Sequence, residues 1–177
     1  IGRNLSAQPL LSQAVIAPEL LIRAGSAAQQ TQWLPLLASG QARLALALDE
    51  KSGQHLAARL STVAEQTGTG WCLSGEKAFV MDGVGANGFV VLAASGEGAP
   101  GLWLVPADAQ GVSIKPMSMM DSRNMAHVQF DQVELSADMA LVARPAAQVL
   151  DEVLDRARAC LAAESLGLMR EVFDRTV

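Results

Sequence analysis

The sequence predicts an α+β protein in which a middle β-domain, an antiparallel sandwich or barrel-like sheet, lies between two helical segments. Two observations predict it. Apolar residues recur with a helical spacing at both ends of the chain, and with a spacing of two between about Arg43 and Val142. Within that middle region the apolar runs are short and are divided by Gly and Pro, as in antiparallel sandwiches and barrels. The resulting division is 1–42, the end of a helical domain; 43–144, the β-domain; and 145–177, the start of a second helical domain.

The elements follow in order. Pro9 stands where a helix can begin, and Pro18 is expected to interrupt the apolar run after it. Ser26 and Gln29 have the spacing of a capping box, and Gly40 stands where a helix C-terminus favours a left-handed residue. Trp33, Leu34, Leu36 and Leu37 lie between them on one broad face. Leu44, Leu46 and Leu48 then alternate with Ala, the period of a strand. Gly68-Thr69-Gly70 reads as a hairpin turn between two strands. Further strands are expected over 79–81, 89–93, 102–105, 112–114 and 128–135. Beyond Pro145, Leu150, Leu154, Ala157, Leu161, Leu168 and Val172 restore a helical period. That run carries no stop signal at Val177, and Ile1 opens inside an element, so both ends read as cut.

Composition narrows the function. Charged residues are 18% of the chain, the net charge is −5, and no basic run occurs, which argues against a nucleic-acid partner. No apolar stretch approaches the roughly 18 residues of a transmembrane helix, so no membrane partner is expected. Cys72 and Cys160 lie far apart, make no metal or redox pattern, and read as small core residues of a cytoplasmic protein. His55 and His127 are the two histidines, which is too few for a zinc site with these cysteines.

Five segments, in order, resemble the acyl-CoA dehydrogenase family. GSAAQQTQWLPLLASG from Gly25 resembles the family's helix before the β-domain. ALALDEKSGQHLAA from Ala45 takes the place of its flavin loop, Thr-Glu-Pro-x-x-Gly-Ser-Asp. WCLSGEKAFVMDG from Trp71 is similar to Leu-x-Gly-x-Lys-x-Trp-Ile-Thr-Asn-Gly. GLWLVPADAQGVSI and VQFDQVELSADMALV resemble the two following strand segments. The opening IGRNL with Pro9-Leu10 is similar to the small subunits of paired dehydrogenases, of pimeloyl-CoA type or of steroid side-chain breakdown.

The resemblance implies a fold, a cofactor and a set of positions. It implies FAD as cofactor, an acyl-CoA as substrate, and a homo- or hetero-oligomer with another subunit of the family. It places Leu48, Asp49, Phe79 and Met81 at the cofactor, and His55 and Arg158 at the substrate. It assigns no catalytic base here, because Ala157 occupies the position where a minority of the family carries one.

Several of these positions depart from the family. Asp49 replaces a Thr that donates to the flavin, and an ionised carboxylate donates nothing. Gln54 replaces a Gly and His55 a Ser. Phe79 keeps an aromatic ring where the family has Trp, and Met81 replaces a Thr donor. Simpler readings stand beside these. Asp49, Gln54 and His55 also suit a polar turn, Phe79 and Met81 a core or an interface, and Arg158 an ion pair. Two readings of function follow: an FAD-dependent acyl-CoA dehydrogenase subunit, or a degenerate partner subunit with a weakened or lost FAD site. A third has the β-domain bind another protein or ligand without redox chemistry.

Overall fold

The computed structural model describes residues 1–4, 6, 8–51, 60–96 and 98–177. A π-helical segment, Leu11–Ile16, runs directly into α1 (Ala17–Ala24), and α2 (Ala27–Ser39) follows. Pro18 does not break the chain into two helices as expected. The π turn closes i→i−5 hydrogen bonds, Ala17 N donating to Ser12 O, and Pro18 falls in the first turn of α1. A proline has no N–H to donate, and it stands here where the continuous helix changes from the wider π turn to regular α geometry. The α2 boundaries are those expected. Ser26 and Gln29 form a complete capping box, and Gly40 caps the other end at φ 73°.

Seven strands follow: β1 (Leu44–Ala47), β2 (Val63–Gln66), β3 (Gly70–Met81), β4 (Gly88–Ser95), β5 (Pro100–Pro106), β6 (Val112–Met117) and β7 (Met125–Ser136). They form one curled sheet in the order β1-β4-β2-β3-β7-β6, with β5 on the other side of β4. The hairpin at Gly68-Thr69-Gly70 joins β2 to β3. Most pairs are antiparallel, but β1 and β2 both run parallel to β4. Pro116 lies in β6, at one end of the strand order, where a missing N–H costs least.

The sheet separates two apolar cores. Phe89, Val91, Trp103, Val105, Phe130 and Val133 fill the inside of the curl. On the outer face, Leu44, Val90, Leu92, Leu102 and Leu104 pack with Leu20 and Leu21 of α1 and with Val149, Leu150 and Val153 of α3 (Ala146–Thr176). Alternate residues of β4 therefore enter different cores, which is why its sequence is a continuous apolar run.

The helix α3 changes character along its length. Its first half is buried through Ala157, whereas Leu161, Leu166, Leu168, Met169, Val172 and Phe173 are exposed. Its start is tied to α1 by ion pairs. Glu152 meets both Arg144 (2.5 Å) and Arg23, and Glu19 meets Arg156 (3.1 Å). The two cysteines depart from the core reading: Cys160 is exposed on the half of α3 that lacks apolar cover, and Cys72 is half-buried on β3. Among the described residues no helix is long and apolar enough to cross a membrane.

Candidate functional site

A cavity of about 260 Å³ opens where four parts of the chain meet. The π turn contributes Ser12 and Ile16. Strand β1 and the residues just after it contribute Leu46, Leu48 and Asp49. The end of β3 contributes Phe79 and Met81, and α3 contributes Leu154 and Arg158. Five of the six residues implied by the resemblance thus surround one space. The sixth, His55, and Gln54 with it, lie outside the described residues.

A bulge sets the β3 wall. Lys77 pairs with Val128 and Val80 with Ala126, so Ala78 and Phe79 together oppose His127 alone. Phe79 takes φ 53°, a left-handed conformation uncommon for an aromatic residue, and its side of the strand is turned outward. Phe79 is 52% exposed, which rules out the core alternative and is compatible with the interface one. Residues held in such conformations concentrate at ligand sites. Met81 is half-buried beside it.

The polar groups are few. Ser12 Oγ hydrogen-bonds the Asp82 carboxylate, and Gln13 next to it bridges the N–H and the carbonyl of Leu44 (3.2 and 3.0 Å). Arg158 is exposed at the cavity rim and pairs with Asp155 at 2.6 Å. The ion pair expected of Arg158 is present, and it leaves the side chain at the cavity rim. Ala157, next to it, is buried in the helix-facing core. His127 Nε2 lies 3.0 Å from Glu76 Oε2, in keeping with a structural histidine.

Beneath the wall sits a buried ion pair. Lys77 is wholly buried, and its Nζ donates to Glu50 Oε1 at 2.8 Å and to Leu48 O at 3.1 Å. Glu50 also accepts from Ser61 N (2.8 Å), Ser61 Oγ (2.5 Å) and Thr62 N (3.0 Å). Burial alone would raise the Glu50 pKa, but the hydrogen bonds from Lys77, Ser61 and Thr62 hold it down at about 2. Burial lowers the Lys77 pKa, opposed by Glu50 and Asp49. Gly75 makes the close packing possible, since a Cβ there would meet the Thr62 backbone at 2.6 Å.

Such a cavity, mainly apolar with one aromatic ring, one carboxylate, one guanidinium and one hydroxyl, suits a flat organic ring or an acyl chain. The chain thus sets a mainly apolar cleft between a curled sheet and the helical segments packed on it. The family is then fixed by comparison. Residues 45–133 match the model of the acyl-CoA dehydrogenase middle domain, and the chain belongs to that family.

Individual relatives agree. Acyl-CoA dehydrogenase FadE12 of Mycobacterium tuberculosis is 30% identical over 166 residues, covering 89% of this chain and 43% of its own length. A glutaryl-CoA dehydrogenase of Mycobacterium smegmatis, solved in complex with FADH2, is 26% identical with a TM-score of 0.86, over 91% of this chain and 42% of that one. The ChsE4-ChsE5 complex of Mycobacterium tuberculosis is 27% identical with a TM-score of 0.85, over 99% of this chain and 46% of that one. The chain spans less than half the length of these relatives.

Ser12, Ile16 and Leu154 were not indicated by the sequence. No local motif marks them, and only the packing of the π turn on β1 and on α3 brings them to the cavity.

Proposed function

We propose that this chain is part of an acyl-CoA dehydrogenase-type oxidoreductase subunit, that its cavity holds the flavin ring of FAD, and that the substrate is an acyl-CoA thioester losing hydrogen from its α and β carbons. The observation that carries this is the convergence of Leu48, Asp49, Phe79, Met81 and Arg158, up to 110 residues apart in sequence, on one cavity. The walls fit the group: an exposed aromatic ring offers a stacking surface, and Leu46, Leu48 and Ile16 surround it with apolar surface. A bound flavin would supply the hydride acceptor. Phe79 and Met81 pack against the ring and exclude water from it. Asp49 stands at its polar edge, and Arg158 offers a cation at the rim to the thioester and the CoA side. The base that takes the α-proton is not assigned among these residues. A cytoplasmic homo- or hetero-oligomer with another subunit of the family completes the reading; the similar structure of ChsE4 with ChsE5 is a complex of two proteins.

A second reading is supported by one specific observation. Asp49 and Met81 line the cavity where the family resemblance implies hydroxyl donors, and neither side chain offers one in its usual state. On that reading the chain is a catalytically degenerate partner subunit with a weakened FAD site. One experiment separates the two: purify the complete gene product alone and with any co-encoded paralogue, and record the flavin absorbance. Stoichiometric flavin in the lone protein supports the first reading and eliminates the second. Flavin appearing only in the paired preparation supports the second, and no flavin in either removes the dehydrogenase reading. Phe79→Ala tests the wall directly. Loss of the stacking ring should weaken FAD binding by about tenfold, the equivalent of about 1.4 kcal/mol.

A further inference from the structure

We infer that Glu50 and Lys77 are positioning residues of this cavity, fixing the Leu48–Asp49 backbone that forms one of its walls without touching a ligand themselves. The ligand part of the argument rests on the reading of the cavity as the flavin-ring site.

Neither residue of the pair lines the cavity, yet Leu48 and Asp49 immediately precede Glu50, and Phe79 is two residues from Lys77. The ladder between β1 and β4 ends at Ala47, paired with Val91. Leu48 and Asp49 therefore leave the sheet just where they reach the cavity. Their carbonyls are met from β3 instead: Lys77 Nζ donates to Leu48 O at 3.1 Å, and Ala78 N donates to Asp49 O at 2.8 Å. The ammonium takes over where the strand pairing stops.

Glu50 closes the other side. Its carboxylate receives the Lys77 ammonium, the Ser61 hydroxyl and the N–H groups of Ser61 and Thr62, four donors on two oxygens. One buried carboxylate thus ties the chain leaving β1 to the chain entering β2 and to β3. A buried ion pair is a poor source of net stability, because an apolar pair of similar volume often does as well. Its directional hydrogen bonds, in contrast, define where each attached backbone group sits. A residue that acts in this way changes ligand affinity through the geometry of its neighbours.

The test uses the complete gene product with Glu50→Gln, Lys77→Met and the double variant, each studied under conditions where it is folded. Free FAD is titrated into the apoprotein, and amide hydrogen exchange is followed at Ala78 and Thr62, with Val91 and Leu104 as references in β4 and β5. In Glu50→Gln we expect FAD to bind at least about tenfold more weakly. Exchange at Ala78 and Thr62 should quicken well beyond any change at Val91 and Leu104. The double variant should bind FAD no worse than the weaker single variant, as two parts of one device do. FAD affinity within about twofold of the parent, despite faster exchange at Ala78, overturns the inference. So does a uniform quickening at all four amides, which marks a purely structural role. If Lys77→Met does not fold, Glu50→Gln decides alone. If the parent protein takes up no FAD, the flavin reading fails by itself, and exchange at Ala78 still decides the positioning: an unchanged rate in Glu50→Gln overturns it, and a faster one supports it.

Discussion

Lys77 and Phe79 stand two residues apart on β3, and each has the environment expected of the other. The lysine is wholly buried and the phenylalanine is about half exposed. The bulge between them explains how one strand does both, because an extra residue shifts which side of the sheet each position faces. The inversion teaches how the site is layered. An apolar, strained surface faces the cavity, and the polar groups that hold it are hidden behind it. Both positions should therefore govern ligand affinity, but only the buried one should carry a large share of the stability.

Removing the hidden charge should have the largest effect. Lys77→Met leaves Glu50 buried without its cation and should cost about 3–5 kcal/mol in urea unfolding. A cost no greater than that of Phe79→Ala would break the comparison. Next in size is an acid effect. The Glu50 pKa is held at about 2 in the fold, against an ordinary 4.5. A lowered carboxylate contributes stability that is fully present above about pH 4.5 and is lost as pH falls towards 2. The loss across that window should be about 3 kcal/mol, seen as a falling unfolding midpoint, and Glu50→Gln should abolish it.

The exposed side predicts smaller changes of the opposite kind. Phe79→Gly relieves a left-handed φ and should raise stability by about 1 kcal/mol while FAD affinity drops. If stability falls instead, the ring is a structural element and the contrast with Lys77 weakens. Arg158→Ala, at a residue already exposed, should move stability by no more than about 0.5 kcal/mol. It should raise the KM for acyl-CoA; an unchanged KM would assign Arg158 to its pair with Asp155 alone.

The order of elements was legible because local signals agreed. The Ser26 and Gln29 cap, the Gly68-Thr69-Gly70 hairpin and the return of helical spacing after Pro145 are each decided by a few neighbouring residues. Strand direction was less so. Nothing within Leu44–Ala47 says that it will lie parallel to β4, some 40 residues later, since both arrangements suit the same alternation. The site positions came from resemblance, not periodicity. The bulge at Ala78 and Phe79 defeats any count by twos, and a lysine between Glu76 and Ala78 reads as solvent-facing until the fold supplies Glu50. The π turn at Leu11–Ile16 was hidden for the same reason: an extra residue in one turn shifts the apolar spacing and defeats a count by 3.6.

The placement of β4 between two cores has a consequence for folding. Val91 contributes to the interior of the curl and Leu92 to the layer shared with α1 and α3, so neither core can come apart without disturbing the same strand. The helices recruited from opposite ends of the chain and the interior of the sheet should therefore melt in a single transition. The amides of β4, hydrogen-bonded on both edges, should be among the last to exchange with solvent, at a free energy close to that of complete unfolding.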